Sequence, residues 1–149
     1  MKKILFSSLL FNIVLFAAPK VGDHFPRLHL KDQFGTQIDI TPDERYIVMA
    51  FEKGVSVDTA ALFSKHPKGY LSSHHLRYIS DISAMPSFIT KLFALPKMKK
   101  YPFSVLLIND ERGKQFDKQT GKLTLYTLKK RIITSIKFIK PSELETILK

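Results

Sequence analysis

The stretch from Tyr101 to Gly113 constrains the fold more than any other part of the chain. Phe103 to Ile108 is an apolar run containing Val105 and Ile108, with Pro102 before it and Asn109-Asp110-Glu111-Arg112-Gly113 after it. A short apolar run between a proline and a turn cluster predicts a strand buried on both faces. Pro102 has no N–H to give to a ladder, which predicts it at the strand's first position. The Asn-Asp-x-x-Gly end predicts a tight turn with residues in the left-handed region.

The flanking chain supplies the other elements. Leu28/Leu30 and Ile38/Ile40 alternate with polar residues on either side of Asp32-Gln33-Phe34-Gly35, which predicts a β-hairpin. Arg45 to Phe51 predicts a buried strand, followed by Glu52-Lys53-Gly54-Val55-Ser56. Ser56 is the expected N-cap of a helix over 57–65, with Asp58 in its first turn and Ala60, Leu62 and Phe63 on its apolar face. Leu76 to Ile82 predicts another strand. Met85 to Leu95 predicts a helix, with Pro86 in its first turn and Pro96 beyond its end. Phe88, Ile89, Leu92 and Phe93 recur there at helical spacing and are assigned to the core. Leu123–Thr127 and Ile132–Phe138 predict an extra antiparallel hairpin or lengthened edge, turned at Lys129-Lys130, whose lysines would discourage edge pairing. Pro141 opens a closing helix with Leu144, Ile147 and Leu148 on one face.

This order resembles the thioredoxin-like superfamily, in its peroxiredoxin-like and periplasmic thioredoxin-like branch. The resemblance rests on Val21-Gly22-Asp23-x-x-Pro26, then Leu30-x-Asp32-Gln33-x-Gly35, then strand, helix, strand, helix and the proline-led strand after Tyr101-Pro102. It implies an α/β three-layer sandwich: a mixed central β-sheet flanked by helices, an N-terminal β-hairpin, and here an extra C-terminal β-hairpin. In proteins of this kind a proline, usually cis, faces a Cys-x-x-Cys pair at the start of the first long helix. This chain has no cysteine; Lys53 to Thr59 stand in that place. Thiolate is the nucleophile of disulfide exchange, so that chemistry is out of reach. What the resemblance still implies is a binding platform, with Lys53, Gly54, Val55 and Ser56 on one side and Tyr101 and Pro102 on the other. Such a platform pairs an extended peptide with a strand edge and needs no sulfur. Lys53, Lys99 and Lys100 would favour an acidic partner.

Lys2-Lys3, the apolar run Ile4 to Phe16 and Ala17-Ala18 have the layout of a secretory signal peptide over 1–18, leaving a thioredoxin-like domain at 19–149. The run is short for a membrane span. The expected location is therefore periplasmic or secreted, with an uncleaved N-terminal segment as the one route to a membrane. The net charge of +11 is spread along the chain, with clusters at Lys97/Lys99/Lys100 and Lys129/Lys130/Arg131. Neither cluster carries the interleaved aromatics of an RNA-binding sheet, which argues against nucleic acid.

Catalytic motifs are missing. Ser56, His74 and Asp81 can be named together, but no Gly-x-Ser-x-Gly elbow is present. No phosphate-binding glycine loop occurs. His66, His74 and His75 share a loop without a carboxylate at ligand spacing and read as solvated side chains. No catalytic residue, metal or cofactor is assigned. The expected function is an exported, redox-inactive module that binds an envelope protein or a small ligand at the platform. The alternative is an enzyme or carrier that uses a bound anionic cofactor, such as a flavin or nucleotide, held by basic residues.

Overall fold

Ile47, Val48, Met49 and Ala50 are all buried, and they alternate between two separate cores. That alternation follows from the two-residue repeat of a strand covered on both sides. The computed structural model describes residues 17–149. The apolar run of the expected signal peptide lies outside the described residues, and residues 17–20 carry no regular structure.

Seven strands form one mixed sheet: β1 (Leu30–Asp32), β2 (Gln37–Ile38), β3 (Tyr46–Ala50), β4 (Leu76–Asp81), β5 (Val105–Ile108), β6 (Leu123–Lys129) and β7 (Ile132–Ile139). Their order is β2-β1-β5-β4-β3-β6-β7. β3, β4 and β5 are parallel neighbours; β6 runs antiparallel to β3, and β1 antiparallel to β5. Parallel neighbours need long crossovers. The first carries α1 (Lys53–Phe63) and α2 (Tyr70–Ser73). The second carries α3 (Ser87–Ile89), a π-helical turn (Thr90–Ala94) and α4 (Leu95–Met98), which together make one continuous helical segment, 87–98. The chain closes with α5 (Leu144–Leu148).

The buried side chains of α1, α2 and α5 enter one core with Val48, Tyr78, Val105 and Leu125. The opposite core holds Phe25, Leu28, Phe116 and Tyr126, so irregular chain rather than helix covers that face. Phe25 packs edge-on against Tyr126 at 5.2 Å between ring centres. The N-terminal hairpin and the extra β6–β7 hairpin are both present. The turn of β6–β7 is Lys130-Arg131 rather than Lys129-Lys130. Both residues lie in the left-handed region, at φ 49° and 67°, as a two-residue turn that follows strand twist requires. β6 is interior, and β7 is the edge strand.

Several local expectations change. β5 begins at Val105, so Pro102 lies in the preceding loop and not at the strand's first position. No peptide bond among the described residues is cis. After β5 the chain enters a 3-10 helix (Glu111–Gln115), where the Asp110 side chain accepts a hydrogen bond from the Arg112 N–H. Gly113 is not left-handed; a Cβ there would run into the Asp81 carboxylate, so close approach is what demands glycine. Gln33 is buried. Its amide donates to the Phe103 carbonyl at 2.8 Å and accepts from the Val105 N–H at 3.0 Å, stitching the N-terminal hairpin to the start of β5.

The largest correction concerns segment 87–98. Pro96 does not follow it but sits inside, two residues before its end. Proline has no N–H and its ring clashes with the carbonyl four residues back; a π turn placed just before it shifts the register and lets the helix continue. Phe88, Leu92 and Phe93, assigned to the core, are 62%, 66% and 65% exposed, and no residue of the segment is fully buried.

Candidate functional site

α1 leaves the carboxyl end of β3, at the point where the resemblance places a cysteine pair. Glu52 occupies the N-cap position without a side-chain cap bond, and the Ser56 N–H donates to the Glu52 carbonyl. Ser56 is therefore inside the first turn and does not cap it. Its Oγ instead lies 2.9 Å from the Ser80 Oγ on β4. The Tyr78 hydroxyl, also on β4, donates to the Ser56 carbonyl at 3.4 Å. Asp58 falls mid-helix, so the first turn of α1 carries no acid.

These hydroxyls sit at a cavity of about 480 Å³ between α1 and segment 87–98. Pockets of this size over the carboxyl ends of parallel strands are the usual ligand sites of α/β proteins. Phe51, Val57 and Ala60 line the α1 side, and Met85, Ile89 and Phe93 line the segment side. Lys53 and Lys97 also line it and are exposed, so they stand at its rim; Asp81 is the acidic lining residue. Burial pushes the Tyr78 phenol well above its ordinary range, and burial also raises that of Tyr101. Both are protonated at neutral pH, as any phenol is, and the Tyr78 hydroxyl already donates to the Ser56 carbonyl.

The structure divides the expected platform. Lys53, Ser56 and Tyr101 line this one cavity. Val55 does not; it is buried in the core beneath α1. Gly54 faces open space, with nothing within 4 Å of where a Cβ would stand. Pro102 is half-buried in the loop before β5 and is not a lining residue. The strand it precedes is interior, paired with β1 on one side and β4 on the other, so it offers no free edge for an added peptide strand. At the start of α1, β3 lies between β4 and the antiparallel β6. The Gly121 N–H, just before β6, donates to the Glu52 carboxylate at 2.8 Å.

Tyr78, Ser80 and Lys97 also line the cavity and were not among the expected platform residues. Ser80 left a signal, since a serine two residues from Tyr78 inside an apolar strand is a buried polar group that needs a partner. Two of the three histidines near α2 have partners for their side chains: His66 Nε2 lies 2.8 Å from Glu145, and His74 Nδ1 lies 2.8 Å from the Tyr70 carbonyl. Among the described residues, no cluster of three His, Cys, Asp or Glu side chains could hold a metal ion. The arrangement can enclose an apolar body, give hydrogen bonds from hydroxyls and neutralise a negative charge at the rim.

No protein-family model matches the sequence. No curated protein resembles it at a significant level either. Solved structures do match. The peroxidoxin BcpB from Mycobacterium tuberculosis aligns with TM-score 0.57 and 14% identity, over 87% of this chain and 94% of that one. The thioredoxin domain of a thiol-disulfide oxidoreductase from Bacteroides vulgatus aligns with TM-score 0.57 and 11% identity, over 89% of this chain and all of that domain. A PrxQ mutant from Xylella fastidiosa aligns with TM-score 0.53 and 14% identity, over 89% and 94%. At such low identity these likenesses establish the fold, and the fold is thioredoxin-like. The chain has that fold with no cysteine in it.

Proposed function

We propose that the protein is an exported, redox-inactive thioredoxin-like module that takes a small, largely apolar ligand in the cavity between α1 and segment 87–98. The observation that carries this reading is the cavity itself. It opens where the fold's chemistry would otherwise sit, and Lys53 and Ser56 of α1 meet Tyr101 of the loop before β5 there. Shared fold does not transfer activity, so the site has to supply the argument. With mostly aliphatic and aromatic walls and two lysines at the rim, the ligand chemistry that fits is an apolar body with one anionic end. Export rests on the N-terminal layout Lys2-Lys3 to Ala18.

The test is a titration of the full chain with 1-anilinonaphthalene-8-sulfonate, an apolar probe with one negative charge. Saturable 1:1 binding is expected, lost in Val57→Trp, which fills the cavity from a side chain already 45% exposed and so spares the core. Binding that is absent, or unchanged in Val57→Trp, would overturn the reading. Insulin reduction by the same preparation should match the blank, because no thiolate can form. A yellow purified protein would instead support the flavin-carrier alternative.

A further inference from the structure

We propose that the outer face of segment 87–98 docks on an anionic lipid surface. The proposal does not depend on the cavity being filled. Phe88 and Leu92 are each more than 60% exposed on one short helix and lie outside the cavity, whose rim the equally exposed Phe93 helps to form. Single exposed apolar residues are ordinary, but a cluster of large ones on one element marks an interaction site. Around them Lys91, Lys97, Lys99 and Lys100 are all exposed. From Ile82 to Asn109 the chain has no acidic residue at all. A helix with protruding aromatic and aliphatic side chains ringed by lysines is the make-up of an element that lies in the interface of an anionic bilayer. The lysines meet the headgroup charge while the apolar side chains enter the acyl boundary.

Charge complementarity also decides against a second copy of this chain. A two-fold contact would bring the same face against itself, and with it two sets of these lysines.

The chain contains no tryptophan, so Phe88→Trp installs a single reporter at an exposed position. It reads this helix and not the N-terminal apolar run of the full-length protein. Vesicles of equal phosphatidylglycerol and phosphatidylcholine should shift the emission of this reporter to the blue and shield it from acrylamide. Pure phosphatidylcholine vesicles should leave it unchanged, and added salt should reverse the shift. In the same background, Lys91→Glu with Lys99→Glu and Lys100→Glu should weaken partitioning at least tenfold, and Leu92→Ser should weaken it severalfold. Circular dichroism checks that each variant stays folded. An emission that phosphatidylglycerol vesicles do not move overturns the proposal. So does a shift that survives the lysine reversals. A concentration-dependent shift without vesicles, with dimers seen by light scattering, would assign the face to self-association and overturn it. A shift with polyglutamate but not with vesicles would assign it to an acidic protein and do the same.

Discussion

α1 and segment 87–98 make an instructive pair. Each leaves the carboxyl end of a parallel strand and crosses back along the same side of the sheet. Each has apolar residues at helical spacing. α1 buries Val55, Thr59, Ala60 and Phe63 against the sheet. Segment 87–98 is the richer in large apolar residues, yet none of its residues is fully buried. The two differ in what lies beneath them. α1 rests directly on Val48, Tyr78 and their neighbours, whereas a cavity of about 480 Å³ separates much of segment 87–98 from the sheet. Periodicity reports which residues share a helical face. It does not report how far that face stands from anything it could pack on.

The sharpest way to break this comparison is a matched pair of truncations. Phe63 is 2% exposed, and its ring packs edge-on against Tyr78 at 5.5 Å and Phe103 at 5.6 Å. Phe63→Ala should cost about 3–5 kcal/mol, as for a buried aromatic whose site cannot collapse. Phe93→Ala should cost no more than about 0.5 kcal/mol, as for an exposed position. Urea unfolding of both variants measures the difference. Equal losses would mean that segment 87–98 packs down on the sheet in solution.

A second test uses Tyr78, which touches α1 from below and also lines the cavity. Its phenol ionises above the ordinary value of 10.0, chiefly because burial disfavours the charged form. The unfolded chain then releases this proton at a lower pH than the folded protein does. The stabilisation is therefore complete below pH 10.0 and is lost as the pH climbs from there toward the folded-state value. Urea midpoints should fall above pH 10, and Tyr78→Phe should flatten that fall. An unchanged slope in Tyr78→Phe would place water around the phenol and enlarge the cavity's reach.

A smaller effect than that of Phe63→Ala is expected at Ser56. Ser56→Ala removes the 2.9 Å contact with Ser80 Oγ, which is buried. The cost should be about 1 kcal/mol, the usual net worth of one hydrogen bond. Binding of the anilinonaphthalene probe should change more than stability does if the two serines serve a ligand.

The sheet was legible because strands buried on both faces announce themselves in the residues. Arg45 to Phe51, Leu76 to Ile82 and Phe103 to Ile108 are short stretches dominated by apolar residues, and each contains the strand found there. The two hairpins were legible from alternation and turn residues. The absence of cysteine settled, with no structure in hand, that this thioredoxin-like fold performs no thiol chemistry. Of the expected platform residues, Lys53, Ser56 and Tyr101 line one cavity. The rest of the site was not legible, because a residue's partners across a sheet depend on strand order. Pro102 looked like one side of the platform. Only the order β5-β4-β3-β6 reveals that its strand lies two places from β3, with both edges already paired, and that β6 is the antiparallel neighbour. Tertiary structure likewise decided the fate of Phe88, Leu92 and Phe93. Hydrophobicity favours burying them wherever a surface is near, but helix and sheet stand apart there, so Phe88 and Leu92 stay exposed and Phe93 only borders the cavity.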